Sequence, residues 1–459
     1  MSVASPNTPA CAVPGTPLAG VRAGIDACVH CGFCLQACPT YLALGDENDS
    51  PRGRILLMRL VYEGSLAVDD AAVRTHIDRC LGCRGCETAC PSGVPYGQLL
   101  EAMRATLNQR SALPWTARTI LGVFERPVLL RVTMALARAV RATRLPALLA
   151  RIPGRPGFAL AMLDATRPVL PEPDYTLNAP DAPEARYAPH THNASSTPDA
   201  PVAHGRGPQV ALLAGCVMHG LYRHTNSATG RVLQVNGYRV VDAPGQGCCG
   251  ALHAHAGDLE GARRLARRNI AAFEQSGAEV ITVNSAGCGA MCKEYGHLLD
   301  GDAEWAARAA AFAERVRDVS ELLAAAGPVE ASAPATERDA PLRVAYDAPC
   351  HLQHAQRVVD APMRVLGAAR GVELVPLTDA DQCCGSAGIF TLIQPEVSTA
   401  VLTPKIRHIA AARVDLVATG NPGCLMQIGA GLRRAGLRTR AVHPVDLLDA
   451  AYRGGKPAR

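Results

Sequence analysis

The chain has 459 residues, of which 48% are hydrophobic, and this length is typical of about three domains with buried cores. A formal net charge of +5 and an aromatic content of only 4% make nucleic acid an unexpected partner. No stretch of the sequence reaches the about 18 to 20 unbroken apolar residues of a membrane span, and the N-terminal sequence lacks the basic and apolar regions of a secretory signal. We therefore expect the 18 cysteines to stay reduced in the cytoplasm.

The first 19 residues are rich in proline and predict a flexible N-terminal tail, in which Cys11 stands apart from the other cysteines. A motif of the form C-x2-C-x2-C-x3-C-P follows, and the same spacing occurs a second time. The eight cysteines of the two motifs are Cys28, Cys31, Cys34, Cys38, Cys80, Cys83, Cys86 and Cys90. A structural zinc site usually has two C-x2-C pairs set further apart, and a disulfide framework is typical of small secreted chains. Both alternatives are therefore disfavoured.

This spacing is typical of bacterial ferredoxins, in which the fourth cysteine of each motif ligates the other cluster. Two crossed [4Fe-4S] clusters are therefore predicted. Their ligands would be Cys28, Cys31, Cys34 and Cys90 for the first cluster, and Cys80, Cys83, Cys86 and Cys38 for the second. Apolar residues recur at helical spacing between the motifs, over residues 52–66 and 71–80. We expect a helical ferredoxin domain over residues 20–110, with a role in electron transfer.

A basic helical segment is predicted next, over residues 111–167. Residues 102–170 contain eleven arginines, no lysine and two acidic residues. A helix from Val128 to Leu145 would place apolar residues on one side and arginines on the other. The apolar residues are Val128, Leu129, Val132, Leu136 and Val140, and the arginines are Arg131, Arg138, Arg141 and Arg144. Such a helix could lie on anionic lipid, or it could pack between domains or against an acidic partner subunit.

Two cysteine-rich modules follow, each after a proline-rich linker. The linkers are predicted over residues 168–208 and 327–341, and the modules over residues 209–326 and 342–459. Each module contains a Cys-Cys-Gly (CCG) sequence between two further cysteine positions, and corresponding cysteines lie 134 to 136 residues apart. An internal duplication accounts for this repeat.

Short apolar strands alternate with helices in both modules, which predicts two parallel sheets. Each cysteine then lies just past the carboxyl end of a strand, where such sheets gather their ligands. Candidate metal ligands are Cys216, Cys248, Cys249, Cys288 and Cys292 in the first module, and Cys350, Cys383, Cys384 and Cys424 in the second. Each set could hold a further iron-sulfur cluster, act as a redox-active dithiol, or bind no metal. The nearby His253, His255, His351 and His354 are interpreted as loop residues rather than ligands.

The predicted fold is thus a multidomain α+β chain, with a helical ferredoxin domain and two repeated α/β CCG modules. The most specific stretches of the sequence include CLGCRGCETACPSGVPYG, GCCGALHAHAGD, APCHLQHAQ and ATGNPGC. With these residues in view, the chain resembles the iron-sulfur subunits of bacterial glycolate oxidases from about Gly24 through Asp449, outside the linkers. The resemblance implies flavoprotein partner subunits that carry FAD and oxidise glycolate to glyoxylate. This chain would hold no FAD and no catalytic residue, and would pass electrons toward membrane quinone as part of an oxidoreductase complex. It would be cytoplasmic or peripheral on the cytoplasmic face of the inner membrane.

The two modules also resemble those of heterodisulfide reductases, which can hold an unusual [4Fe-4S] cluster on five cysteines. The first module departs from that pattern through the wider spacing of Cys288 and Cys292, and the second has Met426 and Gln427 where the fifth cysteine would fall. Alternative functions are the equivalent subunit of a lactate or glycerol-3-phosphate dehydrogenase, or a disulfide reductase. Arg84 lies inside the second ferredoxin motif and Arg79 directly before it, and their positive charge predicts a higher potential for its cluster.

Overall fold

Helices form the N-terminal part of the chain in the computed structural model, which describes residues 11–170, 207–331 and 340–453. The first domain contains α1 (Arg22–Asp26), α2 (Pro39–Leu44), α3 (Pro51–Tyr62), α4 (Ala71–Asp78), α5 (Gly85–Thr88) and α6 (Tyr96–Arg110). Helix α3 begins with Pro51, and the side chain of Ser50 accepts a hydrogen bond from Gly53 N at 3.0 Å. Proline at the first position and serine before it are favoured helix starts, because they leave few amide groups unpaired.

The part of the expected N-terminal tail that the structure describes packs on this domain. Leu18 lies in a short 3-10 helix and is fully buried in the core that α3 and α6 form. Its backbone amide donates to Thr106 Oγ1 at 3.0 Å. Val13 and Leu18 thus anchor this segment to the domain by apolar burial, which composition alone did not indicate. Residues 1–10 lie outside the described part of the chain.

Four helices follow the ferredoxin domain within the described residues 111–170. They are α7 (Trp115–Glu125), α8 (Pro127–Ala142), α9 (Leu145–Leu149) and α10 (Arg155–Ala165). The single helix predicted from Val128 to Leu145 ends earlier, because Arg144 has a left-handed backbone with φ of 62°. A non-glycine residue in that region cannot continue a right-handed helix.

The first CCG module is built on a parallel sheet in the strand order β2-β1-β3-β4. Its strands are β1 (Gln209–Leu212), β2 (Arg239–Val241), β3 (Val280–Val283) and β4 (Val316–Asp318). Its helices are α11 (Val217–Leu221), α12 (Arg223–Val235), α13 (Ala251–His255), α14 (Leu259–Gln275), α15 (Ala286–Lys293), α16 (Tyr295–Leu298), α17 (Ala306–Arg315) and α18 (Val319–Ala326).

The second module repeats this topology in the order β6-β5-β7-β8. Its strands are β5 (Leu342–Tyr346), β6 (Val372–Val375), β7 (Leu416–Ala418) and β8 (Arg440–Val442). Its α-helices are α19 (Ala361–Gly367), α20 (Phe390–Ile393), α21 (Pro395–Ala412), α22 (Pro422–Arg434) and α23 (Pro444–Tyr452), and a π-helix spans His351–Ala355. The predicted fold class is confirmed. The edge strands β4 and β8, which follow the last cysteine of each module, were not predicted.

The two modules pack directly against each other through α12 and α23. Arg231 Nη2 lies 2.7 Å from Asp449 Oδ2, and Thr225 Oγ1 donates to Asp446 Oδ2 at 3.0 Å. The ring of His443 lies 2.9 Å from the carbonyl oxygen of Asn284. These contacts bring the cysteine-bearing ends of the two sheets together.

Segments of the expected tail and linkers and the last few residues lie outside the described residues, namely 1–10, 171–206, 332–339 and 454–459. Among the described residues, no helix combines the length and the apolar character that crossing a bilayer requires.

Candidate iron-sulfur centres

The first ferredoxin motif forms a loop around a small cavity. Cys28, Cys31 and Cys34 line this cavity together with Cys90, which comes from the second motif. The loop turns sharply because His30 and Gly32 have φ angles of 55° and 90°. The thiols predicted for the first cluster are therefore brought to one place.

The second cavity lies beside the first and is lined by Cys38, Cys80, Cys83 and Cys86. Cys86 lines both cavities. The sulfur of Cys80 accepts from Gly82 N at 3.4 Å and from the Tyr96 hydroxyl at 3.6 Å. All these cysteines are free thiols. Four thiolates around one cavity are the donor set that a [4Fe-4S] cluster takes, so the residues present fit two such clusters.

A buried cation that the sequence did not reveal lies at the second cavity. Arg54 lines the cavity and is fully buried. Its guanidinium pairs with Asp49 Oδ1 at 3.1 Å and donates to Thr40 Oγ1 at 3.1 Å. A buried charge has to be paired and hydrogen-bonded in this way. Since Arg54 lies in a regular amphipathic pattern, only the tertiary fold distinguishes it from a surface arginine.

The charges of Arg79 and Arg84 are also paired with carboxylates. Arg79 pairs with Asp49 at 3.1 Å, while Arg84 pairs with Glu87 at 2.8 Å and also with Glu294 of the first module. Burial raises the pKa of Glu294, and the neighbouring Arg84 opposes this change. Both arginines are thus ion-paired, and the higher potential of the second cluster stays a prediction.

Four cysteines of the first module form a chain of thiols past the carboxyl ends of β1, β2 and β3. The thiol of Cys216 is hydrogen-bonded to Cys248, and that of Cys249 to both Cys248 and Cys288. The donors from Cys216 and Cys249 lower the pKa of Cys248 well below its ordinary value. A thiolate at this position is the form that ligates metal.

The fifth candidate of that module, Cys292, is placed apart from the chain of thiols. It lies one helical turn after Cys288 in α15, is fully buried, and does not line the cavity that the other four cysteines face. Burial raises the pKa of its thiol. The structure thus gathers four thiols in this module and leaves the fifth in the core.

The second module gathers its cysteines in the same pattern. Cys383 is hydrogen-bonded to Cys350 and Cys384, and Cys384 also to Cys424. The pKa of Cys383 is lowered well below its ordinary value by these donors. The four sulfurs therefore match the four gathered sulfurs of the first module, position for position.

Both sets of thiols face one shared cavity of about 360 Å³ between the modules. The cysteines on its wall are Cys216, Cys248, Cys249, Cys288, Cys350, Cys383, Cys384 and Cys424. Apolar residues of α7 and α10 complete the wall, including Phe124 and Met162. Eight thiols around one space can hold iron-sulfur clusters or redox-active thiols, and the apolar wall limits the entry of water.

The second ferredoxin motif contacts the second module directly. The thiol of Cys83 is hydrogen-bonded to that of Cys383. Next to it, His351 Nε2 lies 3.0 Å from Gly82 O, and His354 Nδ1 lies 2.8 Å from Thr88 Oγ1. Burial lowers the pKa of His351 to about 4, so its neutral ring donates to this carbonyl.

The sequence suggested that the histidines near the cysteines are loop residues, but the structure places them in helices. His253 and His255 lie in α13, and His351 and His354 lie in the π-helix. The ring of His255 lies 5.1 Å from that of His351, centroid to centroid, where the first module meets the second. His255, His351 and His354 therefore lie at contacts between domains, whereas His253 is buried within the first module.

Asn421 is a further residue that sequence reasoning missed. Its Nδ2 donates to the sulfur of Cys424 at 3.5 Å, and its Oδ1 accepts from Gly287 N at 3.1 Å. It therefore ties a thiol of the second module to the backbone of the first. Its position, directly before Pro422 and three residues before Cys424, is the one sequence signal that could have indicated this role.

Comparison with known proteins agrees with this geometry. Residues 24–94 match the 4Fe-4S dicluster domain family, and residues 210–293 and 344–429 match the cysteine-rich domain family known as CCG. The fold and the grouped thiols define an iron-sulfur protein with one ferredoxin domain and two CCG modules.

Two relatives are similar over nearly the whole chain. The chain is 38% identical to the probable glycolate oxidase iron-sulfur subunit of Bacillus subtilis, over 92% of this chain and 92% of that protein. It is 35% identical to the glycolate oxidase iron-sulfur subunit of Escherichia coli, over 93% and 94%. The chain belongs to the family of glycolate oxidase iron-sulfur subunits. Lactate utilization protein A of Geobacillus kaustophilus is 32% identical over 53% of this chain and 99% of that protein.

Proposed function

We propose that this chain carries electrons within a glycolate-oxidising complex, from flavoprotein partner subunits that hold FAD toward membrane quinone. Glycolate would be oxidised to glyoxylate on the partner subunits. The chain would hold two [4Fe-4S] clusters in its ferredoxin domain, and one or two further clusters on the thiols of the CCG modules. It would work in the cytoplasm, peripherally on the cytoplasmic face of the inner membrane.

The contact between Cys83 and Cys383 is the observation that carries this proposal. Cys83 belongs to the predicted ligands of the second ferredoxin cluster, and Cys383 lines the cavity shared by the two modules. Because Cys86 lines both ferredoxin cavities, the thiols form a continuous series from the first motif to the modules. Short steps between sulfur sets favour a relay over a structural role.

Iron-sulfur clusters supply one-electron transfer when they are bound. The residues of this chain would hold them and set their surroundings. Arg54 places a buried positive charge at the second cavity, and Tyr96 donates a hydrogen bond to Cys80. Both features stabilise negative charge on sulfur. The apolar wall of the shared cavity would keep water from the module thiols.

The experiment is a measurement of iron and acid-labile sulfide on anaerobically isolated chain, followed by reduction with glycolate in the complex with its flavoprotein partners. About eight irons per chain would mean ferredoxin clusters alone, and about twelve to sixteen would add one or both modules, at four irons per cluster. EPR should show cluster signals after glycolate is added to the complex. A chain that is colourless or rich in zinc, or that oxidises glycolate without its partners, contradicts the proposal.

A lactate-oxidising complex is the second candidate function, and the similarity to lactate utilization protein A favours it. That similarity covers about half of this chain, whereas the glycolate oxidase subunits match nearly all of it. Reduction of the chain by its native flavoprotein partners with glycolate, and not with lactate, would separate the two candidates. The reverse result would assign the chain to lactate.

A further inference from the structure

Helices α8 and α9 present a series of large apolar side chains to solvent. These side chains are between 40% and 69% exposed. They are Val128, Leu129, Val132, Leu136, Val140, Leu145 and Leu148. We refer to these seven residues as the α8–α9 face. An exposed apolar patch of this kind on a folded chain usually marks an interaction site.

The face is turned away from the protein because α8 is held from its other side. Met134 is buried and packs near Gly220 of the first module. Arg138 Nη1 donates to Gly220 O at 2.8 Å, and Arg141 Nη1 to Leu221 O at 3.1 Å. These carbonyls end α11, where helical oxygens lack partners within the helix. Arg138 and Arg141 therefore point toward the first module, and the apolar row faces outward.

The border of the face is basic and nearly free of acid. Arg126, Arg131, Arg144, Arg151 and Arg155 are exposed around it. The two acidic residues of the segment 111–167 are engaged elsewhere, because Glu125 pairs with Arg264 at 2.7 Å and Asp164 with Arg167 at 2.9 Å. An apolar row accompanied by exposed arginines matches the boundary of an anionic bilayer.

We propose that the α8–α9 face is the surface on which this chain binds an anionic lipid bilayer, with the apolar row in the lipid and the arginines at the phosphate groups. The proposal deepens the proposed function and rests on it in one respect, namely that membrane quinone receives the electrons. Charge complementarity decides between lipid and protein as the occupant. An apolar face ringed by five arginines fits a uniform sheet of negative headgroups.

Lipid binding at this face would hold the shared cavity close to the bilayer. Helix α7 packs against α8 and supplies Ile120 and Phe124 to the cavity wall, while α10, which also contacts α8, supplies Met162 and Leu163. The same group of helices thus bounds the thiol cavity on one side and carries the lipid face on the other. An acceptor dissolved in the bilayer would have a short path to the cavity.

The test is co-sedimentation of the full, anaerobically isolated chain with vesicles of phosphatidylcholine, with and without phosphatidylglycerol. Wild-type chain should bind the anionic vesicles, and added salt should weaken binding because it screens the arginines. Val132→Glu with Leu136→Glu should reduce the affinity for anionic vesicles at least about tenfold, since both side chains would have to leave the lipid. Val235→Glu with Val359→Glu changes two exposed valines elsewhere and is the matched control.

Absence of wild-type binding to anionic vesicles overturns the proposal, and so does unchanged binding of the Val132→Glu, Leu136→Glu variant. A variant that loses its flavoprotein partners instead of the vesicles would show that the face binds protein. Glycolate-driven reduction of the chain in the complex, measured without vesicles, should be the same in wild type and variant. If that reduction fails in the wild type while vesicle binding persists, the proposed electron transfer is wrong and the lipid surface stands.

Discussion

The thiol of Cys83 in the second ferredoxin motif is hydrogen-bonded to the thiol of Cys383 in the second CCG module. The equivalent cysteine of the first module, Cys248, is bonded to its own neighbours Cys216 and Cys249. The duplicated modules are therefore not equivalent toward the ferredoxin domain. The second module would be the first to receive an electron, and the first module would follow across the shared cavity.

Crossed ligation of the two ferredoxin clusters is testable with single substitutions. Cys38→Ser should remove the second cluster, at a loss of about four irons per chain, and Cys90→Ser should remove the first. Each variant should keep the EPR signal of the other cluster, because the remaining thiols of that set are unchanged. Cys11→Ser is the control, since Cys11 lies outside both cavities. If Cys38→Ser instead removes the cluster on Cys28, the ligation is not crossed.

Arg54 should influence the second cluster more than Arg84 does. Arg54→Gln removes a buried cation from the cavity wall, so the potential of the second cluster should fall. Arg84→Gln should give a smaller decrease, because Glu294, whose pKa burial already raises, can take up a proton and offset the change. A redox titration of both variants measures which substitution shifts the potential of the second cluster more. A larger shift for Arg84→Gln would contradict the expected order.

His443 should make the contact between the modules sensitive to acid. Its Nδ1 accepts from Val445 N at 3.1 Å, so the neutral ring must donate through Nε2 to Asn284 O. Burial lowers the pKa of His443 from 6.5 to about 4. A depressed pKa in the folded state contributes stability that is complete above pH 6.5 and is lost as the pH falls toward 4. Between pH 7 and pH 5 this loss is about 2 kcal/mol.

The measurement is the melting temperature of wild type and His443→Asn at pH 7 and pH 5. Asparagine can still accept the hydrogen bond of Val445 N, but it loses the contact of the histidine ring with Asn284 O, so the variant should melt at a lower temperature at pH 7. Its melting temperature should fall less than that of wild type between pH 7 and pH 5, because the buried imidazole is gone. Asp446, whose pKa burial raises to about 7, has the opposite pH dependence in both proteins and cancels in the comparison. The exposed His297→Asn is the control. Equal acid sensitivity of wild type and His443→Asn would refute this role.

The buried pair of Lys405 and Asp347 should stabilise the second module. Lys405 Nζ lies 2.6 Å from Asp347 Oδ1, and both side chains are almost inaccessible. Lys405→Met should cost about 3 to 5 kcal/mol, because it leaves a buried carboxyl without its cation. Lys405→Met combined with Asp347→Asn should recover part of the loss, since no charge then remains. Thermal unfolding measures the stability of both variants. If Lys405→Met were as stable as wild type, the stabilising role of the pair would be contradicted.

The ligand spacing and the repeat were readable from the sequence because both are local. Two residues between thiols limit how a loop can close, so the groups Cys28 to Cys34 and Cys80 to Cys86 follow from the chain itself. The alternation of apolar strands and helices likewise predicted two parallel sheets with cysteines at their carboxyl ends. The edge strands β4 and β8, beyond the last cysteine of each module, were not predicted.

Contacts between distant segments were decided only by the tertiary structure. The bond of Cys83 to Cys383, the burial of Arg54 and the outward turn of Val132 on α8 each depend on which surfaces meet. Periodicity along the chain distinguishes the faces of a helix, but it does not tell which face meets another domain. The amino-acid order therefore determined which residues could hold iron, and the packing of the domains determined how their sulfurs connect and which surface is left for a partner.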